Sequence, residues 1–428
     1  MAAAEVRCEK GLRSFQFKGF TKMKKRQIAL VVMSALAGVS HAQTAVQVYG
    51  IVDAGVAHTT KQAAPVAGAP TATASRTGID SGLLQASRFG VRGTEDVGGG
   101  LKAQFALEGG IAIDNGTSTQ GGALFGRRSI VGLVGDGFGN LQIGRRKDFT
   151  DEVAEPYSSI TPFGTFITRV HANNLDRIGG NRANNMIYYS TPTFGGFRAN
   201  ISYGFGETAG STSIGESLGF GANYGNGPFG IGFGYWQSKL GTVTATANSS
   251  SDQGATSGAG CNTVGLGTPG DTCLKTWIVG SRYKLGNFMF RGTYSQVKQP
   301  LVTGTGPAAP TFATAFTRTA GSGAFTPGGS NNSDASIVDV GVDYTTAGAW
   351  KLKSSYIQSR YDFTGAAPDG KLDQLTLGAE YYLSKRTTLY GTVAHMRASR
   401  MYSPGILGGS PGAENSTSAV GVGVRHYF

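Results

Sequence analysis

Strict alternation of apolar residues with small or polar residues recurs along the chain from residue 45 to residue 428. In GFRANISYGF, for example, Phe197, Ile201 and Tyr203 share one face while Arg198 and Ser202 share the other. A period of two residues is that of a β-strand, because successive side chains of a strand point to opposite faces. The pattern therefore predicts an all-β protein whose strands each have one apolar and one polar face.

Large aromatic residues lie near the ends of these alternating stretches, among them Tyr49, Trp277, Tyr283, Trp350 and Phe428. A water-soluble β-sandwich gives no reason for this placement, whereas a transmembrane barrel carries an apolar outer band between two girdles of aromatic side chains. The stretches also have the roughly 9 to 11 residues that a strand needs to cross a bilayer. The opposite face is rich in Gly, Ser, Thr, Asn, Arg, Lys and Asp, which suits a water-filled interior.

The final segment, VGVGVRHYF, continues the pattern, with its valines and Phe428 on one face and its glycines, Arg425 and Tyr427 on the other. A strand at the edge of a sheet presents unpaired backbone groups, and lipid tolerates no such edge. We therefore expect this strand to pair with the first one, AVQVYGIVDAG, and to close the sheet into a barrel.

Connections between the stretches alternate between short turns, such as DVGGG and KLGN, and long polar segments near residues 58–82, 147–183, 239–274 and 298–334. Outer-membrane barrels show this asymmetry, with short periplasmic turns and long extracellular loops. The segments predict a 16-stranded antiparallel transmembrane β-barrel, which is wide enough to leave an aqueous lumen.

Composition excludes two other classes of protein. Gly accounts for 68 of 428 residues and charged residues for 15%, and the mean hydropathy is −0.12. Disordered chains carry more charge or Pro, and helical membrane proteins carry long apolar runs. The longest apolar run, residues 28–39, is shorter than the roughly 20 residues of a transmembrane helix.

That apolar run has the context of a secretory signal, with a basic segment starting at Met23 before it and a small-x-Ala cleavage site ending at Ala42 after it. We expect residues 23–42 to be a signal peptide that is removed near Ala42, and residues 43–428 to be the barrel. Residues 1–22 precede Met23 and are expected to be an upstream extension outside the native protein. A short core helix is the alternative interpretation of the run.

Removal of residues 1–42 leaves 30 basic and 24 acidic residues, a net charge of +6 instead of +12. A nucleic-acid partner therefore loses its main support. In an exported protein, Cys261 and Cys273 predict a disulfide within a loop. The histidines are scattered without metal-binding spacing, so we expect neither a metal nor a cofactor.

Several motifs, in order, resemble those of the general diffusion porins of betaproteobacteria, such as Burkholderia, Bordetella and Neisseria. They are YGIVDAGV, SRFGVRGTEDVGGGLKAQFALEGG, RRSIVGLVGDGFGNLQIGR, NNMIYYSTPTFGGFRANISYGFGE and VGVGVRHYF. The resemblance implies a homotrimer of 16-stranded barrels and a third loop folded into the lumen. It also implies that Phe428 is an assembly signal for the barrel-insertion machinery. The centre of loop 3, EVAEPYSSITPFG, differs from the acidic and glycine-rich versions of the family.

Parity along the strands predicts a basic wall in the lumen. Arg88 and Arg92 lie opposite the apolar face of their strand, and Arg182 has the inward parity of its own strand. Parity is ambiguous for the pair Arg127 and Arg128, and resemblance to the family favours Arg127.

Loop 3 offers a facing acidic side with Asp148, Asp151, Glu152 and Glu155. Acidic groups across from arginines create a transverse field, and an excess of one sign favours counter-ions. The alternative role of each arginine is to pair with a loop carboxylate and hold loop 3 in place.

The sequence thus predicts an outer-membrane porin for passive diffusion of small hydrophilic solutes, with weak to moderate preference for anions. Its surroundings would be the bilayer and lipopolysaccharide, and no enzymatic activity is expected. A solute-specific channel is the nearest alternative, followed by a barrel that acts mainly as an adhesin or an enzyme such as a lipase.

Overall fold

The computed structural model describes residues 45–63, 73–149, 155–172, 176–179, 182–207, 209–210, 212, 216–239, 273–298, 332–363, 369–401, 403–407 and 414–428. The expected signal peptide and the upstream extension lie outside these residues. Asp151, Glu152 and Cys261 also lie outside them, as does the side chain of Cys273. The acidic roles of Asp151 and Glu152 and the loop disulfide therefore stay predictions.

The described residues form seventeen antiparallel strands in one sheet. The strands are β1 (Ala45–Ala63), β2 (Thr73–Ser81), β3 (Arg88–Gly98), β4 (Leu101–Gly110), β5 (Arg128–Gly135), β6 (Gly139–Lys147), β7 (Arg182–Ser190), β8 (Phe197–Gly204), β9 (Ser217–Asn226), β10 (Phe229–Lys239), β11 (Cys273–Leu285), β12 (Phe288–Lys298), β13 (Asn332–Thr345), β14 (Trp350–Phe363), β15 (Gly370–Tyr382), β16 (Thr387–Ser399) and β17 (Ser416–Tyr427).

The first and last strands close the sheet, as the sequence predicts. β1 pairs with β17 from Ile51 opposite Tyr427 to Thr59 opposite Ala419. Beyond this ladder, the backbone N–H groups of Gly50 and Phe428 each donate to the other residue's carbonyl, both at 3.1 Å. The closed barrel is therefore confirmed, and its closure includes the final residue.

Among the described residues, the seventeen strands fill sixteen positions in the wall, because β2 and β3 both pair with the same side of β1. β3 pairs with residues 45–51 of β1, and β2 with residues 54–63. The prediction of a loop at residues 58–82 is wrong for residues 58–63 and 73–81, which are strand. In β2, Ile79 is the one large apolar residue, and polar side chains predominate, as in the ion pair between Arg76 and Asp80 at 2.5 Å. The hairpin therefore lacks the continuous apolar face that identifies the other strands.

The outer face of the wall carries large exposed apolar side chains, which in a water-soluble protein would be buried. They include Val48, Val131, Ile201, Phe233, Leu352, Leu377 and Val422. Aromatic pairs lie toward both ends of the wall, with Trp277 near Tyr294 and Trp350 near Tyr381. This is the apolar band between aromatic girdles that a bilayer requires. No helix in the described part of the chain is long and apolar enough to cross a membrane.

Loop 3, the connection between β6 and β7, folds into the lumen as expected. Its described residues include two short helical turns, α1 (Ile160–Phe163) and a 3-10 helix (Gly164–Phe166). Its fully buried Phe163, Phe166 and Ile167 join one apolar core with inward residues of the wall. These wall residues include Ile337, Ile357, Leu372 and Met396. Burial of apolar surface therefore holds one side of loop 3 against β13 to β16.

Candidate functional site

A cavity of about 800 Å³ lies inside the barrel, beside loop 3. Seven basic residues line it, namely Arg88, Arg127, Lys147, Arg169, Arg182, Lys351 and Arg425. Four acidic residues line it as well, namely Asp80, Asp114, Glu155 and Glu380. Basic side chains therefore outnumber acidic ones around the opening that loop 3 leaves.

Three of the four predicted wall arginines meet at this cavity. Arg88 begins β3, and its Nε donates to the carbonyl of Ala86 at 3.0 Å. Arg182 begins β7, and its Nε donates to the carbonyl of Arg127 at 3.0 Å. Arg127 itself is buried, with its Nε 2.7 Å from Oε1 of Glu108. The starts of β3, β5 and β7 thus present three guanidinium groups to one space.

Arg128 also lies on the inner side of the wall. It stands opposite Glu108 in the register of β4 and β5, and its Nη2 donates to Oε1 of Gln142 at 3.3 Å. Arg127 precedes the strand and so escapes the strict alternation, which explains why parity alone could not choose between the two arginines. Both side chains point inward, and Arg127 is the one that lines the cavity.

Arg92 faces inward but is separate from the other arginines. It stands opposite Gln47 in the ladder between β1 and β3 and donates to Oε1 of Gln47 at 3.0 and 2.8 Å. It lies four residues beyond Arg88 toward the short turns, which is about 13 Å along a strand. Arg92 does not line the cavity, in contrast to the prediction. Inward parity alone does not identify the residues of the constriction, because the inner face of a strand is much longer than the constriction.

Glu155 is the one described member of the predicted acidic side that lines the cavity. Its carboxylate forms an ion pair with Lys147, at the end of β6. A bulge between Gly144 and Arg146 precedes this lysine. Gly144 has a φ of +127°, and a Cβ there would lie 2.1 Å from the carbonyl of Ser129, so only glycine fits this bulge.

Asp148 lies elsewhere than predicted, because it is fully buried and does not line the cavity. Its carboxylate pairs with the guanidinium of Arg177, which is also fully buried. Arg177 in turn lies 4.2 Å from the centre of the Trp236 ring. Asp148 therefore fastens loop 3 to the wall instead of facing the wall arginines.

A second polar anchor holds the middle of loop 3. Asp339 of β13 accepts hydrogen bonds from the backbone N–H and the hydroxyl of Ser159, at 2.7 and 2.5 Å. His171 lies 2.7 Å from Asp176 and 3.5 Å from Asp339. Although burial alone lowers the pKa of His171, the carboxylates of Asp176 and Asp339 raise it to about 10. The imidazolium thus links loop 3 to the wall.

Sequence reasoning missed four basic residues of the cavity, namely Lys147, Arg169, Lys351 and Arg425. Arg425 has inward parity in VGVGVRHYF, and Lys351 has the inward parity of β14, so alternation was an available signal for both. Arg169 lies on loop 3, where no such period exists. Within the part of the chain that the structure describes, it has no hydrogen bond or ion pair.

The carboxylate of Glu380 is surrounded by cations. It lies 2.7 Å from Nζ of Lys353 and 3.2 Å from Nη2 of Arg425. Lys353 also donates to the carbonyl of Pro162 in α1. No group of three potential metal ligands occurs among the described residues.

Comparison with known proteins places this architecture in a family. The pattern of a family described as Gram-negative porin matches residues 29–400. Outer membrane porin protein 32 of Delftia acidovorans is 34% identical over 419 residues, which cover 95% of this chain and 100% of that protein. An outer membrane porin protein of Bordetella pertussis is 30% identical over 426 residues, with 95% and 100% coverage.

Among solved structures, one described as an anion-selective porin from Comamonas acidovorans is similar over 90% of this chain and 100% of its own. Its TM-score is 0.65 and its sequence identity is 29%.

Proposed function

This chain belongs to the Gram-negative porin family and is a protein of the Gram-negative outer membrane, and we propose that it passes small hydrophilic solutes by passive diffusion with a weak to moderate preference for anions. The observation that carries the proposal is the excess of basic over acidic side chains around the cavity. A narrow aqueous passage lined by one sign of charge concentrates ions of the opposite sign.

The arrangement of the carboxylates supports the same sign of preference. Glu155 is paired with Lys147, and Glu380 lies between Lys353 and Arg425. Asp148 is buried with Arg177. Cations next to these carboxylates reduce the field that each would otherwise project into the passage. The described carboxylates of loop 3 therefore oppose the basic wall less than the sequence predicts.

The preference is expected to be limited in strength. Asp80 and Asp114 also line the cavity, and mobile ions screen charges over about 8 Å at physiological ionic strength. Similarity to a structure described as an anion-selective porin favours anions.

The proposal is tested with purified protein in a planar bilayer under a gradient of potassium chloride. We expect a zero-current potential whose sign corresponds to excess chloride permeability. The potential should be smaller when the same concentration ratio is kept with the dilute solution at about 1 M salt, where charges are screened within about 3 Å. A potential of the opposite sign contradicts the anion preference. Equal flux of neutral sugars of one size separates a general channel from a solute-specific one.

We propose that the chain is a channel without enzymatic activity, because the relatives that define its family are porins. The detergent-solubilised protein should hydrolyse no chromogenic ester above the rate of buffer. Turnover that survives repurification would contradict this.

We also propose the partners that the family resemblance implies. These are two further copies of the chain in a homotrimer, lipopolysaccharide around the barrel, and the barrel-insertion machinery during assembly. Cross-linking of intact outer membranes should yield a species of three chains. Dimers or monomers alone would contradict the trimer.

A further inference from the structure

We infer that Asp53 is a positioning residue for the constriction, which acts through the segment Gly82–Ser87 between β2 and β3. This segment is called the elbow below. Every residue of the elbow lines the cavity, and Arg88 follows it directly. The inference concerns the width of the passage and how often that width fluctuates. It does not depend on the sign of the ion preference.

Asp53 lies on the inner face of β1 and is fully buried. Its Oδ2 accepts a hydrogen bond from the backbone N–H of Gln85 at 3.0 Å, and its Oδ1 accepts one from the hydroxyl of Tyr390 at 2.6 Å. Its backbone carbonyl accepts from the N–H of Gly82 at 2.7 Å and from the hydroxyl of Ser87 at 3.0 Å. One residue thus holds the start, the middle and the end of the elbow.

The elbow in turn holds loop 3. The backbone N–H and the hydroxyl of Thr165 both donate to the carbonyl of Leu83, at 3.1 and 2.9 Å. Gly164 has a φ of +52°, and a Cβ there would lie 2.1 Å from the carbonyl of Leu84. The two backbones therefore meet without a side chain between them, which only glycine permits.

The wall behind the elbow is shaped to receive it. A Cβ on Gly55 would lie 2.7 Å from Cδ1 of Leu83, and a Cβ on Gly421 would lie 3.3 Å from the same atom. A Cβ on Gly423 would lie 2.3 Å from the hydroxyl of Tyr390. These inward glycines leave the space that Leu83 and Tyr390 occupy.

Loop 3 therefore has two attachments to the rest of the barrel. Its apolar residues and Ser159 bind β13 to β16. Thr165 binds the elbow, which Asp53 connects to β1 and β16. Because the elbow leads into Arg88, Asp53 sets the position of the loop and of that arginine together. Loss of its hydrogen bonds should let the passage fluctuate in width.

Single-channel recording at fixed voltage tests this with three variants, Asp53→Asn, Tyr390→Phe and Thr165→Val. Asp53→Asn replaces an acceptor-only group by one that carries two donors. Tyr390→Phe and Thr165→Val each remove one hydroxyl from the chain of contacts. We expect transitions to lower conductance levels to become about fivefold more frequent in each single-hydroxyl variant, which corresponds to about 1 kcal/mol for one hydrogen bond.

Thr161→Val is the matched control. Thr161 also lies on loop 3 and lines the cavity, but its hydroxyl donates to the carbonyl of Glu155 within the loop, at 2.8 Å. It should leave the frequency of transitions unchanged. Val422→Ala, on the outer face of β17, is a second control. It is expected to lower the thermal stability of the barrel without altering the constriction, so the frequency of transitions should stay unchanged.

The inference is overturned if Tyr390→Phe and Thr165→Val match the controls, or if Thr161→Val raises the frequency as much as they do. Should Asp53→Asn fail to fold, the two hydroxyl variants decide the outcome alone. The zero-current potential of each variant is recorded in parallel. A cation preference in all of them would contradict the proposed function and leave this inference standing.

Discussion

Arg177 and Asp148 form an ion pair in which both side chains are completely buried, and Trp236 covers the guanidinium. Removal of one partner from such a pair leaves an uncompensated charge in a place without water, which typically costs about 3 to 5 kcal/mol. The pair therefore contributes to the docking of loop 3 and not to the field in the passage.

Asp148→Asn should destabilise the barrel by about 3 kcal/mol because it removes the negative charge from a buried ion pair. The measurement is the temperature at which the folded band is lost in detergent electrophoresis. Glu155→Gln is the matched comparison, since its pair with Lys147 is partly exposed and typically contributes at most about 1 kcal/mol. Equal losses of stability in the two variants would contradict this assignment.

Arg169→Gln should weaken the anion preference. A unit charge about 10 Å from a permeating ion contributes roughly 0.4 kcal/mol in water, or about a twofold change in the permeability ratio. The zero-current potential under a salt gradient measures it. The control is Arg386→Gln, on the exposed turn between β15 and β16, which should have no effect. A shift of the same size in both variants would assign the effect to net charge and not to the cavity.

The imidazolium of His171, in loop 3 and outside the membrane-spanning strands, should make the passage sensitive to alkaline pH. Because its pKa rises from 6.5 to about 10 on folding, the stabilisation that it supplies is complete below about pH 6.5. It decreases as the pH rises and is lost above about pH 10. Single-channel transitions should therefore become more frequent across this range.

His171→Asn cannot gain the proton, so its transitions should be frequent at all pH values without the alkaline rise. His58→Asn serves as the control, because His58 lies at the start of the hairpin, does not line the cavity and forms a hydrogen bond with the hydroxyl of Thr77. It should keep the pH dependence of the unmodified protein. The same profile in the unmodified protein and in His171→Asn would exclude this role for His171.

Phe428→Ala should lower the amount of folded barrel in the outer membrane several-fold while leaving refolding in detergent nearly intact. The aromatic ring packs on Gly50, where a Cβ would lie 2.2 Å from it, but the ladder that closes the barrel is formed by backbone groups that alanine retains. Val424→Ala, on the same outer face, is the control. Equal losses in the cell and in detergent would contradict a role in assembly.

Periodicity predicted most of the fold because the wall is one repeated element. Each strand of the wall turns one apolar face to lipid, and this requires apolar residues at every second position, as in Val422 and Gly423. Parity also placed Arg88 and Arg182 on the face of the wall that lines the cavity. The strand at residues 73–81 was not predicted because polar residues predominate in it and Ile79 is its one large apolar residue.

The constriction was less predictable because its contacts join distant parts of the chain. Tyr390 and Asp53 are 337 residues apart, and no local pattern states that they meet. The sequence of loop 3 does not distinguish its four nearby carboxylates by role. In the structure, Asp148 is buried and Glu155 lines the cavity. Only the folded barrel decides which carboxylate meets which cation.

The inward glycines of β1 and β17 couple the constriction to the closure of the barrel. At Gly55, Gly421 and Gly423 the inner wall has no side chains of its own and is covered by Leu83, Phe166 and Tyr390. Leu83 lies against Gly55 of β1 and Gly421 of β17 together, so its place exists only where the first and last strands are paired. A change that separates these two strands is therefore expected to loosen the elbow and, through Thr165, the part of loop 3 that binds it. The contacts of loop 3 with β13 to β16 would remain.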